Sequence, residues 1–243
     1  GLEYDPAYGG GGADHLYTMI FGEELGRSAS LGVSMALAVQ TDMATPALHE
    51  FGSHELKERY LRPAIAGEMV AAIGVSEPDA GSDVAGIRTR AVRDGDEWVI
   101  SGAKTWITSG TQADWICLLC RTSDDGGYRG MTQIVVPTDL PGFSVSRKLD
   151  KLGMRASDTA ELVFDEVRVP VENTIGQEGR GFQQQMAQFQ NERMIAAYQM
   201  IGAVEQALAR TVGYLQERMA FGAPLLANQS LQYELADIAA DLD

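Results

Sequence analysis

The stretch Gly74-Val-Ser-Glu-Pro-Asp-Ala-Gly-Ser-Asp-Val-Ala-Gly86 marks the point where the hydrophobic pattern changes from helical to strand-like. A predicted strand over residues 69–75 runs into a loop that contains serines, glycines and a proline. Such a loop exposes backbone N–H groups and hydroxyls that can hold a phosphate or the polar edge of a ring. It matches neither the G-x-G-x-x-G nor the Walker fingerprint. From these residues alone, a surface loop without a ligand is the favoured interpretation.

Downstream of this loop, short apolar runs alternate with turns as far as residue 175. Asp94-Gly95 is a hairpin-turn signal between two of these runs. No long helical pattern separates the runs, so they predict an antiparallel barrel or sandwich. The predicted strands cover residues 69–75, 87–93, 97–107, 115–121, 132–136, 143–148 and 160–169.

Helical patterns flank the strands, so the predicted class is α+β with three parts. Residues 1–68 would be the end of an N-terminal helical domain, with helices near 15–26, 31–51 and 55–66. Residues 69–176 would form the middle β-domain, and 177–243 the first helices of a C-terminal helical bundle. The N-terminus does not look like a natural start, and the last helical pattern stops at Asp243. Both ends of a longer protein are therefore expected to be missing.

Composition excludes several classes of function. The net charge of −15 argues against a nucleic-acid partner, since phosphate binding needs a basic surface. No apolar stretch reaches the roughly 18 residues that suggest a membrane-spanning helix. Cys117 and Cys120 lie in one apolar run and should point to opposite faces of a strand, as buried thiols rather than a redox or metal pair. No metal site is predicted, because the histidines lack paired ligand spacing: His15, His49 and His54.

A second segment, Gly102-Ala-Lys-Thr-Trp-Ile-Thr-Ser-Gly110, lies in the longest predicted strand. In a regular strand Trp106 and Thr108 project to the same face, where an indole and a hydroxyl could meet a planar ligand. Packing of Trp106 into the core is the alternative, and the more ordinary one.

Four separated motifs, in order and at matching spacing, resemble the acyl-CoA dehydrogenase family across essentially the whole chain. They are the loop after Gly74, Trp106-Ile-Thr-Ser-Gly110, Lys151-Leu-Gly-Met-Arg-Ala-Ser-Asp-Thr159 and Arg218-Met-Ala-Phe-Gly222. The resemblance implies FAD held between the β-domain and C-terminal helices. Two departures leave local geometry open, namely Asp79 where many members have glycine and Ile73 where an aromatic residue often contacts flavin.

The resemblance also assigns roles to individual residues. Ser76 would contact the pyrimidine edge of the flavin, and Trp106 would shield the ring face opposite the substrate. Thr108 would lie near flavin N5, and Ser82 would lie near both the pyrophosphate and the acyl-CoA. Arg218, Phe221 and Gln229 would reach the FAD of a neighbouring subunit, so a homotetramer or homodimer is implied. The full cofactor set is Val75, Ser76, Gly81, Ser82, Trp106, Thr108, Arg218, Phe221 and Gln229.

The implied reaction is α,β-dehydrogenation of an acyl-CoA thioester to a trans-2-enoyl-CoA, with the hydride passing to flavin N5. A carboxylate must remove the weakly acidic α-proton, so it should be close and desolvated. The family carries this base in one of two places. Most members have it further along the C-terminal domain, beyond the end of this chain, and that alternative stays open. The long-chain and isovaleryl-type branch, which this chain resembles most, has it on the first long C-terminal helix. Glu192, in Gln190-Asn-Glu-Arg-Met-Ile-Ala-Ala197, matches that position. Arg193 could orient the segment or form a structural ion pair, and Ser157 matches a position near the CoA.

The resemblance further implies electron-transfer flavoprotein as the electron acceptor, in fatty-acid or branched-chain acyl-CoA oxidation. The location would be the bacterial cytoplasm, or the mitochondrial matrix in a eukaryote. Two alternatives stay open: a flavin oxidase or monooxygenase of the same fold, and a non-catalytic acyl-CoA- or flavin-binding paralogue.

Overall fold

The computed structural model of the protein describes residues 1–28 and 30–242. The described chain divides into two compact units. The first unit comprises residues 1–14 and 30–193, and the second comprises residues 15–28 and 194–242. The predicted last helix is present and ends at Leu242, while Asp243 lies outside the described residues. The three-part boundaries set out above stay a prediction.

The N-terminal part of the first unit is helical, as predicted. The helical stretch over residues 54–66 begins after Ser53, whose Oγ accepts the Leu56 N–H at 3.2 Å. It ends at Gly67, which has a φ of 77°. Two π-helical turns interrupt these stretches, a feature that the apolar periodicity did not predict. The segments are α2 (Leu31–Ala38), a π-helical turn (Val39–Ala44), α3 (Pro46–Phe51), α4 (His54–Leu56), a second π-helical turn (Lys57–Leu61) and α5 (Arg62–Ala66).

One large sheet follows, and a strand lies over each predicted one. The strands are β1 (Ala71–Gly74), β2 (Arg90–Asp94), β3 (Glu97–Thr108), β4 (Trp115–Arg121), β5 (Met131–Pro137), β6 (Phe143–Lys148), β7 (Thr159–Pro170) and β8 (Thr174–Ile175). Their order in the sheet is β6-β7-β3-β2-β4-β5-β8, with β1 paired to β4 outside this path. The Asp94-Gly95 signal is confirmed, because β2 and β3 form a hairpin in which Asp94 pairs with Glu97.

The sheet is mixed, whereas the sequence predicted antiparallel pairing throughout. Strand β1 runs parallel to β4, from the Ala71–Trp115 pair to the Gly74–Leu118 pair. Strand β2 also meets β4 in parallel, at Arg90 and Arg121. The loop over 75–89 carries the chain from β1 to β2 without reversing its direction along β4. Side-chain alternation has the same period in both kinds of pairing, so the sequence could not distinguish them.

Strand β4 is buried on both faces, which explains its unbroken apolar run. One face contributes Ile116, Leu118 and Cys120 to a core enclosed by the sheet, and the other contributes Trp115 and Cys117 to a core shared with the N-terminal helices. The two thiols are free, buried and on opposite faces, as predicted. Burial raises the pKa of each thiol to about 12, so both stay protonated.

The second unit contains helical segments and one small hairpin. Glycine allows α1 (His15–Gly26) to approach α6 (Gly181–Glu217) closely, since a Cβ at Gly26 would overlap the Gln199 carbonyl oxygen. Arg27 forms ion pairs with Glu23, Glu24 and Glu205 in the same unit. Its elements are α1 (His15–Gly26), the C-terminal part of α6 (Gly181–Glu217), β9 (Met219–Ala220), β10 (Ala223–Pro224) and α7 (Gln229–Leu242). No helix among the described residues is long and apolar enough to span a bilayer.

Candidate functional site

The loop after β1 is joined to strand β3 rather than lying free on the surface. A tight turn over residues 77–80 braces it, with Glu77 N–H donating to the Ala80 carbonyl at 2.8 Å and Ala80 N–H donating back at 3.1 Å. The Ser76 carbonyl accepts the Thr105 N–H at 2.9 Å. These bonds fix the beginning of the loop against the strand that carries Trp106.

A buried ion pair lies beneath the same loop. The Lys104 ammonium lies 2.9 Å from Glu77 Oε1 and donates to the Val75 carbonyl at 2.8 Å. Glu77 also accepts the backbone N–H groups of Arg88, at 2.6 Å, and Thr89, at 2.9 Å. The Lys104 side chain is fully buried, and 7% of the Glu77 side chain is exposed. The ion pair therefore joins β3 to both ends of the loop, through Val75 at its beginning and Arg88 and Thr89 at its end.

The Glu77 carboxylate is ionised at neutral pH. Burial acts to raise the pKa of Glu77, but the Lys104 charge and the donated hydrogen bonds outweigh it and hold that pKa below its usual range. Burial lowers the pKa of Lys104, and the Glu77 carboxylate opposes that change. Three donors thus surround the Glu77 carboxylate and favour its ionised form.

Trp106 lies at an irregularity in β3. The register with β7 shifts between Lys104 and Ile107, and Trp106 has a φ of 62°. Its side chain is 67% exposed, so it does not pack into the core. Regular alternation, from which Trp106 and Thr108 were expected on one face, does not hold at this bulge. A bulky residue at positive φ is strained, and such strain is concentrated at functional sites.

A cavity of about 270 Å³ opens between the loop, β3 and α6. It brings together most of the predicted cofactor residues of the first unit, along with Arg193. Ile73, one of the noted departures, also lines it. Hydroxyls, an indole and a guanidinium therefore surround an otherwise apolar space. The lining comprises Ile73, Val75, Ser76, Gly81, Ser82, Val84, Thr105, Trp106, Ile107, Phe189 and Arg193.

On α6, Phe189 and Arg193 face this cavity one turn apart, with the guanidinium 5.9 Å from the Phe189 ring centre. Glu192 precedes Arg193 by one residue, about 100° around the helix, and is not part of the cavity lining. Its Oε1 accepts a hydrogen bond from Gln188 Nε2 at 2.8 Å. Glu192 is half-buried, and burial, supported by nearby Asp42, raises its pKa to about 7.

Besides Glu192, two predicted site residues of the first unit lie outside the cavity lining. Thr108 is half-buried at the end of β3, paired with Thr159 of β7. Ser157 is buried, and its hydroxyl lies 2.9 Å from Lys151 Nζ and donates to the Met154 carbonyl at 3.1 Å. The structure thus places Ser157 inside its own turn.

The remaining predicted residues belong to the second unit and are exposed. Arg218 follows the end of α6, and Gln229 begins α7. Phe221 and Gly222 connect β9 to β10 with φ values of 50° and 80°, a two-residue turn with both residues at positive φ. The Phe221 side chain is fully exposed.

Sequence reasoning missed the most deeply buried part of the site. Neither Glu77 nor Lys104 was given a role in the predicted site. Their contact spans 27 residues, so no local pattern could pair them. The one available signal was a lysine inside a long apolar strand, which is rarely buried without a partner. Within the described residues, no cluster of His, Cys, Asp and Glu could hold a metal ion.

Comparison with protein families gives three matches that follow one another along the chain. The model described as "Acyl-CoA dehydrogenase, N-terminal domain" matches residues 1–68. The model for the middle domain of the same family matches residues 72–167, and the model for its C-terminal domain matches residues 179–243.

Individual relatives bear corresponding names. A probable acyl-CoA dehydrogenase of Bacillus subtilis is 36% identical, over 100% of this chain and 64% of its own length. The mitochondrial isovaleryl-CoA dehydrogenase of Solanum tuberosum is 38% identical, over 98% of this chain and 58% of its own length. A short-chain-specific acyl-CoA dehydrogenase of Clostridium acetobutylicum is 37% identical over 98% of this chain. Relatives of similar identity thus carry names of different acyl groups.

Solved structures agree in fold. A probable acyl-CoA dehydrogenase from Mycobacterium abscessus superposes with a TM-score of 0.96 at 44% identity, over 100% of this chain and 64% of that one. A glutaryl-CoA dehydrogenase from Mycobacterium smegmatis, solved in complex with FADH2, gives a TM-score of 0.92 at 33% identity, over 100% of this chain and 61% of that one. The chain spans about three fifths of the length of these relatives.

Proposed function

This chain belongs to the acyl-CoA dehydrogenase family, and we propose that it carries the flavin cavity and the catalytic base of an FAD-dependent acyl-CoA dehydrogenase. The observation that carries the proposal is the cavity itself. Residues from a loop, a strand and a helix, far apart in sequence, converge on one space lined by Ser76, Ser82, Trp106 and Arg193. Independently of that cavity, a carboxylate with a raised pKa lies on the same helix.

The lining fits a flavin. The exposed indole of Trp106 offers a planar apolar surface, held in place at a strained backbone position. Hydroxyls of Ser76, Ser82 and Thr105 supply donors and acceptors for the polar edge of a ring. A cavity of about 270 Å³ suits a ring system rather than a complete dinucleotide. Val75 and Gly81 would contact the cofactor through the loop backbone, and Thr108 would approach it from the end of β3.

Glu192 is the proposed base. When bound, FAD accepts the hydride that leaves the β-carbon of the acyl group. The chain's own contribution is to take the α-proton on a carboxylate whose pKa, about 7, matches neutral conditions. Because Oε1 already accepts the Gln188 hydrogen bond, Oε2 is the oxygen we assign to the proton. Arg193, one residue on, and Ser82 are proposed to contact the acyl-CoA, together with Ser157.

The rest of the proposal concerns the whole protein. Arg218, Phe221 and Gln229 are proposed to reach the FAD of a neighbouring subunit in a homotetramer or homodimer. Their exposure in the second unit leaves them accessible for that contact. We propose electron-transfer flavoprotein as the acceptor and retain the three-part division at residues 1–68, 69–176 and 177–243. The proposed location is the bacterial cytoplasm or mitochondrial matrix, consistent with bacterial and mitochondrial names among the relatives.

The direct test is anaerobic mixing of the purified, FAD-loaded protein with straight and branched acyl-CoAs of several lengths. We expect loss of the flavin absorbance with at least one of them, and slow reoxidation in air. Rapid reoxidation in air would instead indicate an oxidase. If none of the acyl-CoAs reduced the flavin, a binding protein would replace the proposed enzyme.

Trp106 offers a separate prediction, because its backbone strain and its indole can be removed independently. Trp106→Gly removes both, whereas Trp106→Ala removes the indole and keeps a Cβ at positive φ. We expect the glycine variant to be about 1 kcal/mol more stable than the alanine variant, the reverse of the usual order. Both should lose FAD more readily than the wild type. Urea unfolding and retained flavin after gel filtration measure the two effects. A more stable alanine variant, or full flavin retention in both, would contradict this account.

A further inference from the structure

Gln188 makes two hydrogen bonds that connect helix α6 to the π-helical turn Val39–Ala44. Its Nε2 donates to Glu192 Oε1 at 2.8 Å, one helical turn along α6. The same nitrogen donates to the Met43 carbonyl oxygen in a short contact. The side chain is buried, and among the described residues its Oε1 has no hydrogen-bond partner.

These contacts fix the direction of the amide. If the amide turned over, its oxygen would face the Met43 carbonyl oxygen, and the bond to that carbonyl would be lost. Gln188 can therefore donate to Glu192 but cannot accept from it without breaking the link to Met43. Because Gln188 can only donate a hydrogen bond to Glu192, it stabilises the carboxylate of Glu192 more than the protonated carboxyl group.

Other influences around Glu192 shift its pKa, some upward and some downward. Burial is the largest influence and raises its pKa, and Asp42 in the π-helical turn adds to that rise. The Gln188 hydrogen bond lowers the pKa, and Arg193, the next residue on α6, does so to a smaller extent. Cys117 of β4 also interacts with Glu192, but its buried thiol stays neutral. Gln188 is the main group opposing the desolvation of Glu192.

We propose that Gln188 is a positioning residue, which anchors the Glu192 carboxylate to the π-helical turn, stabilises its ionised form and leaves Oε2 for the substrate proton. This inference deepens the proposed function and rests on it. Gln188 itself touches neither substrate nor cofactor in this account. The site thus uses a buried amide to keep a desolvated base in its active form.

Gln188→Met tests the proposal, because methionine is unbranched, of similar length and cannot donate. Gln184→Met is the matched control, since Gln184 is also a buried glutamine on α6 but forms no hydrogen bond with Glu192. The Glu192 carboxyl is titrated directly by carbon NMR of labelled glutamate, with Glu192→Gln identifying its signal. In parallel, the pH dependence of flavin reduction by acyl-CoA is recorded.

For Gln188→Met we expect the titration midpoint of Glu192 to rise by about one to two pH units, as loss of a hydrogen bond to a charged group implies. The rate profile should move by the same amount, so that reduction at pH 7 slows by roughly five- to fiftyfold and recovers in alkali. Gln188→Glu should raise the midpoint as well, through like-charge repulsion. Gln184→Met should leave both profiles unchanged.

An unchanged midpoint in Gln188→Met, or an equal rise in Gln184→Met, would overturn the proposal. A midpoint that rises without any movement of the rate profile would confirm the Gln188 contact and refute Glu192 as the base. The titration midpoint thus tests the role of Gln188, and the rate profile tests the role of Glu192.

Discussion

Lys104→Met is expected to lower the free energy of unfolding by about 3–5 kcal/mol at neutral pH. The substitution removes the ammonium that lies 2.9 Å from Glu77 Oε1 and leaves that carboxylate buried without a counter-charge. It also removes the donor to the Val75 carbonyl. Methionine has a similar length and fills the space, so the loss reflects charge and hydrogen bonding rather than a void.

The matched control is Arg155→Met. Arg155 lies 2.7 Å from Asp150, but the two side chains are 67% and 83% exposed. Exposed pairs contribute little, so this substitution should cost less than about 1 kcal/mol. Adding Glu77→Gln to Lys104→Met should recover part of the loss, because no unpaired buried charge remains. Chemical denaturation of the purified variants measures each value. If Lys104→Met cost no more than Arg155→Met, the buried pair would not support the loop.

Glu192→Gln is expected to reduce the rate of flavin reduction by acyl-CoA by about 10²- to 10⁴-fold, the range that general-base catalysis supplies. Glutamine keeps the shape of the side chain but cannot take a proton. The FAD content of the purified variant should be unchanged, because Glu192 is not among the residues that line the cavity. Stopped-flow absorbance under anaerobic conditions measures the rate. Glu217→Gln, which changes an exposed carboxylate on the same helix, is the control and should reduce normally.

The wild-type rate should also depend on pH in a defined direction. Burial raises the pKa of Glu192 to about 7, and only the carboxylate can act as a base. The rate of flavin reduction should therefore rise with pH and reach half its maximum near pH 7. A rate that falls through this range would mean that the essential group works in its protonated form.

The order of helices and strands could be predicted because burial leaves a local pattern in the sequence. Strand β4 is buried on both faces and reads as an unbroken apolar run, so its bounds followed directly from the sequence. The helix predicted near residues 55–66 is bounded by Ser53 and Gly67, whose capping roles are local. The hairpin between β2 and β3 followed from Asp94-Gly95 for the same reason.

Features that depend on distant contacts could not be predicted in this way. The parallel pairing of β1 with β4 joins residues about 44 positions apart and leaves no mark on alternation. At the bulge Trp106 turns outward, so the alternation of side chains along the strand does not predict its face there. The partner of Lys104 lies on another element. Family resemblance named some of the residues that line the cavity, but it gave no role to the buried pair beneath the loop.

The most direct test of the account is one anaerobic turnover of the FAD-loaded protein with an acyl-CoA that reduces the wild type, followed by product analysis. For the wild type we predict trans-2-enoyl-CoA in an amount equal to the bound FAD. For Glu192→Gln we predict almost none, although its FAD is still bound. Equal amounts of enoyl-CoA from both proteins would contradict the assignment of Glu192, and no enoyl-CoA from the wild type with any acyl-CoA would contradict the proposed enzyme itself.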